Sequence, residues 1–129
     1  MSSCILDASA ILALLLEEDG AGVVADRLVG GLLSTVNLCE VVSFYARNHV
    51  AQDDIQDLID TLPLELIELD AEVAMAAGLM RSITDRAGLS LGDRVCLAHA
   101  KLLEKPVVTA DKAWSQVAMK LGVELILIR

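Results

Sequence analysis

The chain is short of several things, and each shortage removes a class of reading. Aromatic side chains are 2% of its 129 residues, confined to Phe44, Tyr45 and Trp114, although 55% of the chain is hydrophobic. The core must therefore be made of Leu, Val, Ile and Ala, which suits helices packed on a sheet. Proline occurs only at Pro63 and Pro106, and no repeat, low-complexity tract or linker is visible. One folding unit over residues 1–129 with short loops is expected. The longest apolar stretch, Ala8–Leu16, is roughly half of the ~20 residues that a membrane span needs, so it predicts a buried helix. The first residues carry no basic region, apolar block and small-residue cleavage site, and a cytoplasmic location is expected.

Cysteine is scarce too. Cys4, Cys39 and Cys96 are an odd number without close pairing, each inside an apolar segment, and all three are expected in the core as small hydrophobes. Zinc would want clustered Cys or His, and His49 and His99 stand far from any such pair. Positive charge is the last shortage: 10 Lys and Arg face 19 Asp and Glu, a formal charge of −9. That argues against a domain gripping nucleic acid by a broad basic face. Bound divalent cations would offset part of the deficit, and a basic protein partner would suit it.

What is present is an alternation of strand-like and helix-like segments. A short apolar run ends at Asp7 and passes into the helix former Ala8–Leu16; a second helix is expected over 21–29, stopped by Gly30 and Gly31. A brief strand at 32–34 leads into a helix capped by Ser34 or Thr35 and running to about His49. A polar helix over 53–61 is broken by Pro63, and 64–69 resembles an edge strand because Glu65 and Glu68 interrupt it. Asp70 should cap a long alanine-rich helix to Ala87. Residues 91–103 form a helix apolar on nearly all sides, hence buried. Strands at 106–109 and 124–128 flank a helix that Asp111 opens. Strands separated by helices predict a three-layer α/β/α fold with a mostly parallel central sheet.

In such sheets ligands bind outside the carboxyl ends of the strands. Asp7 and Asp111 fall there, Asp93 begins a buried helix that could reach the same edge, and Glu40 sits in the helix after the second strand with Asn37 one turn earlier. Each acid also has a plain structural role open to it. Asp7 and Asp111 are natural helix N-caps, and Ser90-Leu-Gly-Asp93 has the form of a capping box. Glu40 is harder to dismiss, because it lies among Cys39, Val41 and Val42, where a partly buried carboxylate is costly unless paired or metal-bound. Arg94 and Lys112 adjoin two of the acids in sequence, but immediate helical neighbours do not face each other. A hard dication, Mg²⁺ or Mn²⁺, fits better as counter-charge. Ser9 and Thr109, two residues from Asp7 and Asp111, could bond the carboxylates or simply cap the backbone. Glu17, Glu18, Asp19, Asp53, Asp54, Asp57 and Asp60 read as solvated surface, and His99, six positions beyond Asp93, as turned away from it.

The segments Leu6-Asp7-Ala-Ser-Ala, Asn37-Leu-Cys-Glu40-Val, Leu89-Ser-Leu-Gly-Asp93-Arg-Val-Cys-Leu-Ala and Thr109-Ala-Asp111-Lys-Ala-Trp114 resemble PIN-domain proteins, specifically VapC-type toxins, along the whole chain. The resemblance implies a PIN-like fold and an endoribonuclease toxin of a type II toxin–antitoxin pair. It implies Mg²⁺ or Mn²⁺ held by Asp7, Glu40, Asp93 and Asp111, with Ser9, Asn37 and Thr109 at supporting positions. It further implies an RNA substrate, a homodimer and a VapB-type antitoxin partner; no membrane partner is expected, from the shortness of the apolar stretches. A dimer groove gathering Arg47, Arg86, Arg94 and Lys112 would help so acidic a chain to dock RNA. Two other classes compete. A phosphoacceptor receiver domain would need paired acids near its start, where this chain offers Asp7 alone; a non-catalytic acidic binding module would keep no cation site that depends on Asp93.

Overall fold

A computed structural model describes residues 3–129; the beginning of the first expected strand, at Ser2, lies outside the described residues. The strands are β1 (Ile5–Leu6), β2 (Leu32–Ser34), β3 (Glu65–Ile67), β4 (Val107–Thr109) and β5 (Leu125–Leu127). They form one sheet in the order β3-β2-β1-β4-β5, and every neighbouring pair is parallel. Ile5 stands opposite Leu32 and Val107, and Leu6 opposite Leu33 and Val108. Successive strand side chains point to opposite faces, so Ile5, Leu32 and Val107 enter one core while Leu6, Leu33 and Val108 enter the other. Both faces are covered, which is why the inner strands are continuously apolar rather than alternating.

Helices α1 (Ala8–Leu15), α2 (Ala21–Leu28), α3 (Thr35–Arg47) and α4 (Gln52–Asp60) supply the second of these cores. Helices α5 (Ala71–Leu79), α7 (Leu91–Leu103) and α8 (Ser115–Leu121) supply the first, with a short α6 (Arg81–Thr84) after α5. The three-layer α/β fold is the one expected. α7 is buried on nearly all sides, from Val95 through Ala100, and each fully buried Val or Leu there contributes roughly 1.5–3 kcal/mol relative to exposure. His99 lies in this buried stretch with Nε2 unpartnered, a core histidine whose burial lowers its pKa. β3 is the exposed edge strand, with Glu65 and Leu66 both open to solvent.

Two expectations need correction. The helix begun by Asp70, whose carboxylate accepts from the Val73 amide at 2.9 Å, does not run unbroken to Ala87. It stops at Leu79, resumes for one turn, and tightens to a 3₁₀ turn at Asp85–Ala87. The buried Thr84 hydroxyl donates to the Met80 carbonyl at 2.9 Å, a back-bond of the kind that bends helices. Cys39 is exposed rather than in the core, because its flanking apolar residues turn to other sides of α3.

β1 and β4 are adjacent, yet the chain leaves β1 toward β2 and β3 and returns for β4 and β5. The order of strands therefore reverses between β1 and β4, and the crevice outside their carboxyl ends is the switch point where open α/β sheets bind ligands.

Candidate active site

Asp7 is the residue that ends β1 and caps α1, with Oδ1 accepting the Ala10 amide at 2.8 Å. Only 4% exposed, it is surrounded by hydroxyls. Ser9 Oγ donates to Oδ1 at 2.8 Å and Thr109 Oγ1 donates to Oδ2 at 2.7 Å. Each hydroxyl accepts in turn from the loop after β4: Ser9 from the Ala110 amide at 3.0 Å, Thr109 from the Asp111 amide at 3.1 Å. One carboxylate thus joins the two loops at the switch point. Burial raises the pKa of Asp7 to about 6, against the lowering effect of these donors, with repulsion from Asp93 adding to the rise.

Glu40 and Asp93 reach the same place from α3 and α7, which meet beside it. Asn37 Nδ2 donates to Glu40 Oε1 at 2.7 Å and to the Gly92 carbonyl at 3.3 Å, tying the two helices. Gly92 lies against the Glu40 carboxylate, and a Cβ at that position would collide with it. Asp93 closes the expected capping box: its Oδ2 accepts the Ser90 amide at 2.9 Å, and its own amide donates to Ser90 Oγ at 3.2 Å. Burial raises the pKa of Glu40, with Asp93 adding to it. Burial likewise raises that of Asp93, with Asp111 adding to it, while the indole N–H of Trp114 faces Asp93 and favours its charge without closing a full hydrogen bond. Asp111 caps the turn that precedes α8, Oδ1 accepting the Ala113 amide at 2.9 Å.

All four acids line one cavity of about 450 Å³, with Ala8, Ser9, Leu12, Cys39, Ser43, Phe44 and Arg47. Capping and convergence are therefore compatible. Asp93 Oδ1, Asp111 Oδ2 and Glu40 Oε2 accept no hydrogen bond among the described residues, because only the other oxygen of each carboxylate is engaged. No Lys or Arg pairs with any of the four; the ion pairs among the described residues are Arg81 with Asp85 and Arg129 with Glu18. Arg94 instead donates to the Ala77 carbonyl at 3.2 Å. Beneath the acids lies Cys96, its thiol pKa pushed well up by burial and then by Asp7, Asp93 and Glu40. The donor set is entirely oxygen, as a hard divalent cation requires. Among the described residues no three acids stand close enough to form a ready-made chelate for a single ion.

The sequence profile of the PIN domain family matches residues 4–120. The chain belongs to the PIN-domain family. PIN domains are nucleases as a family. A comparison with curated protein sequences returned no match. Among solved structures, this PIN domain is similar to a chain of a toxin–antitoxin complex from Klebsiella pneumoniae, at 17% identity and a TM-score of 0.74 over 98% of each chain. It is similar to one in VapBC-1 from nontypeable Haemophilus influenzae, at 13% identity and a TM-score of 0.76 over 98% of each. A third likeness is to DNA-bound VapBC from Salmonella typhimurium, at 18% identity and a TM-score of 0.73 over 100% of each.

Several residues in or beside the pocket had no role assigned from sequence. Gly92 had a signal: a glycine within a helix costs about 1 kcal/mol relative to alanine, so its place one residue before Asp93 calls for a reason, which is the approach of Glu40. Ser43 and Phe44 had a positional one, since they lie three and four residues after Glu40 on α3, whereas Arg47, seven after it, was expected as an RNA-docking cation but not at this pocket. Cys39 and the Trp114 indole had none, because both depend on how α3, α7 and the loop after β4 assemble.

Proposed function

We propose that this PIN domain is a divalent-cation-dependent endoribonuclease, the toxin of a toxin–antitoxin pair, that hydrolyses RNA phosphodiester bonds and is neutralised by a VapB-type antitoxin. The observation that carries this reading is the uncompensated charge of the pocket: four carboxylates from four separate segments, no cation paired with them, and three oxygens left over. The acids repel one another, as the raised pKa values to which Asp93 and Asp111 contribute show, and the fold leaves that repulsion to be relieved from outside. Mg²⁺ or Mn²⁺, held by Asp7, Glu40, Asp93 and Asp111, is the counter-charge that an all-oxygen donor set favours. Mg²⁺ typically takes only one or two carboxylates directly and completes its shell with water and phosphate oxygens, so a closed chelate is not required.

Bound there, the ion supplies Lewis-acid chemistry, making water more acidic and offsetting charge on the phosphate. The chain's own residues do the rest. Ser9, Thr109 and the Ala10 amide hold Asp7 in a single orientation, and Asn37 does the same for Glu40. Glu40 and Asp93, with raised pKa values and one free oxygen each, orient a water in line with phosphorus. One of them accepts its proton as the new P–O bond forms and the bond to the departing nucleotide breaks, the departing oxygen taking a proton from solvent water.

The likeness to chains of VapBC complexes supports the antitoxin as partner, and the charge of −9 favours a basic segment from it. On this reading the protein works as a homodimer in the cytoplasm; among the described residues no helix is long and apolar enough to cross a membrane. The test is controlled expression of the unsubstituted protein beside Asp7→Asn, following growth and total RNA, with the purified proteins assayed on RNA in Mg²⁺, in Mn²⁺ and in chelator. Cleavage that needs the cation and fails in Asp7→Asn is expected. Equal growth arrest by both, or equal cleavage in chelator, sinks the reading.

A further inference from the structure

The pocket has two unlike ends. Its acid end is described above; the other is formed by Leu12 of α1 with Phe44 and Arg47 of α3. Glu40, Ser43, Phe44 and Arg47 follow one another at the spacing that places side chains on one face of a helix, so one face of α3 carries both ends. The helical rise separates Glu40 from Arg47 by about 10 Å. Arg47 thus stands at the far end from the acids, and it makes no ion pair or hydrogen bond among the described residues. Its guanidinium carbon lies over the Phe44 ring, 5.8 Å from the centroid. The ring is itself held by Tyr45, edge-on at 5.3 Å and 86°, and Tyr45 is buried. A cation at the C-terminus of a helix is favourable anywhere. That alone does not explain a cation and an aromatic ring, already stacked on each other, lining the same cavity as four uncompensated acids.

We propose that Phe44 and Arg47 form a stacking subsite for one nucleobase, that of the nucleotide adjoining the phosphate held at the acid end; this rests on the nuclease reading above. Aromatic rings and guanidinium planes are the two side-chain surfaces on which unstacked bases are held. A pair held in place before binding loses little conformational entropy when a base arrives. Of the four cations expected to collect around the substrate, Arg47 lines this pocket, Arg94 is committed to the Ala77 carbonyl, Arg86 lines a different cavity, and Lys112 is exposed without lining the pocket.

The test uses Asp93→Asn in Mg²⁺, so that a strand is bound without being cut. Single-stranded oligoribonucleotides carrying one 2-aminopurine at successive positions are titrated with it, reading fluorescence and anisotropy. Quenching at one position is expected. Adding Arg47→Ala or Phe44→Leu should abolish that quenching and weaken binding by about five-fold or more, with circular dichroism melts confirming folded protein. Arg47→Lys should restore part of the binding through charge but not the quenching. Quenching that is absent, or that survives both Arg47→Ala and Phe44→Leu, or an Arg47→Lys protein matching the parent in both readouts, overturns the subsite. Cleavage of the unlabelled strand by the unsubstituted protein is scored separately. Position-specific quenching without cleavage supports the subsite while sinking the nuclease reading, and cleavage without quenching does the reverse.

Discussion

Two groups of four acids in this chain have opposite organisation. Asp53, Asp54, Asp57 and Asp60 are crowded into α4, where Asp53, Asp54, Asp57 and Asp60 are all exposed. Asp7, Glu40, Asp93 and Asp111 are spread over more than 100 residues of sequence and line one cavity. Charges on the exposed helix are screened within about 10 Å by ordinary salt and ask nothing of the fold. The dispersed acids lose water on burial and repel one another, as the raised pKa values of Asp7, Glu40 and Asp93 record. Density of charge along the sequence therefore does not say which acids the fold gathers; arrival at the switch point of the sheet does.

The sharpest way to break this contrast is to neutralise one acid from each group. Asp93→Asn should lower RNA cleavage in Mg²⁺ by about 10³-fold, within the range set by losing a group that handles a proton or its orientation. Asp54→Asn and Asp57→Asn should stay within about two-fold, as exposed substitutions away from the pocket do little. Comparable losses in both groups would erase the distinction.

The next effect is on stability. Because the folded pKa of Asp7, about 6, lies above its ordinary value of 3.8, the folded state holds the proton more tightly than the unfolded chain. The contribution is fully present below pH 3.8 and is lost as pH rises through 6, by up to about 3 kcal/mol. Glu40 and Asp93 act in the same direction. In chelator, urea melts of the unsubstituted protein should weaken across that window, and the difference from Asp7→Asn should isolate the part due to Asp7. Added Mn²⁺ should restore stability above pH 6 by mass action. A parallel pair of pH profiles would remove Asp7 as a source of strain.

Gly92→Ala comes third. The added methyl should strike the Glu40 carboxylate and cost about 1–3 kcal/mol, the range for overpacking. Combining it with Glu40→Ala should recover most of the loss in a double-mutant cycle without recovering cleavage. Additive losses would mean that the two residues do not press on each other. The smallest effect is expected for Thr109→Val, which keeps the buried shape but removes the donor to Asp7. Mn²⁺ affinity by calorimetry should fall by about 10-fold or more, as for other supporting partners of metal ligands, in a protein whose melt shows it still folded at the assay temperature. Unchanged affinity would make Thr109 merely a loop brace.

How far the site could be read beforehand differs residue by residue. Asp7, Asp93 and Asp111 were visible as caps because capping is a local matter, set by a carboxylate a few residues from the amide it accepts. Their convergence rested on placing strands and helices in order, and the order of elements was legible from apolar periodicity. Gly92 against Glu40 was not, since the two are joined only where α3 crosses α7. Cys39 was misplaced in the core because an apolar neighbourhood in sequence does not say which side of a helix a residue takes. The break after Leu79 had a signal in Gly78, a poor helix former in the last turn of α5, but the Thr84 hydroxyl that bonds the Met80 carbonyl there is buried only by the tertiary fold. Arg47, Arg86, Arg94 and Lys112 were indistinguishable as positive charges until the fold gave Arg47 to the pocket and Arg94 to a carbonyl.

By itself, the linear chain settled which segments coil into helices, which extend, and which carboxylates stand at their junctions, since backbone preference and capping act over a few residues. Only the tertiary fold decided that β1 and β4 lie side by side, that four acids line one cavity without an ion pair to any of them, and that Phe44 and Arg47 line its other end. Those outcomes are fixed by helices and strands packing across long separations of sequence, where local preference has no reach.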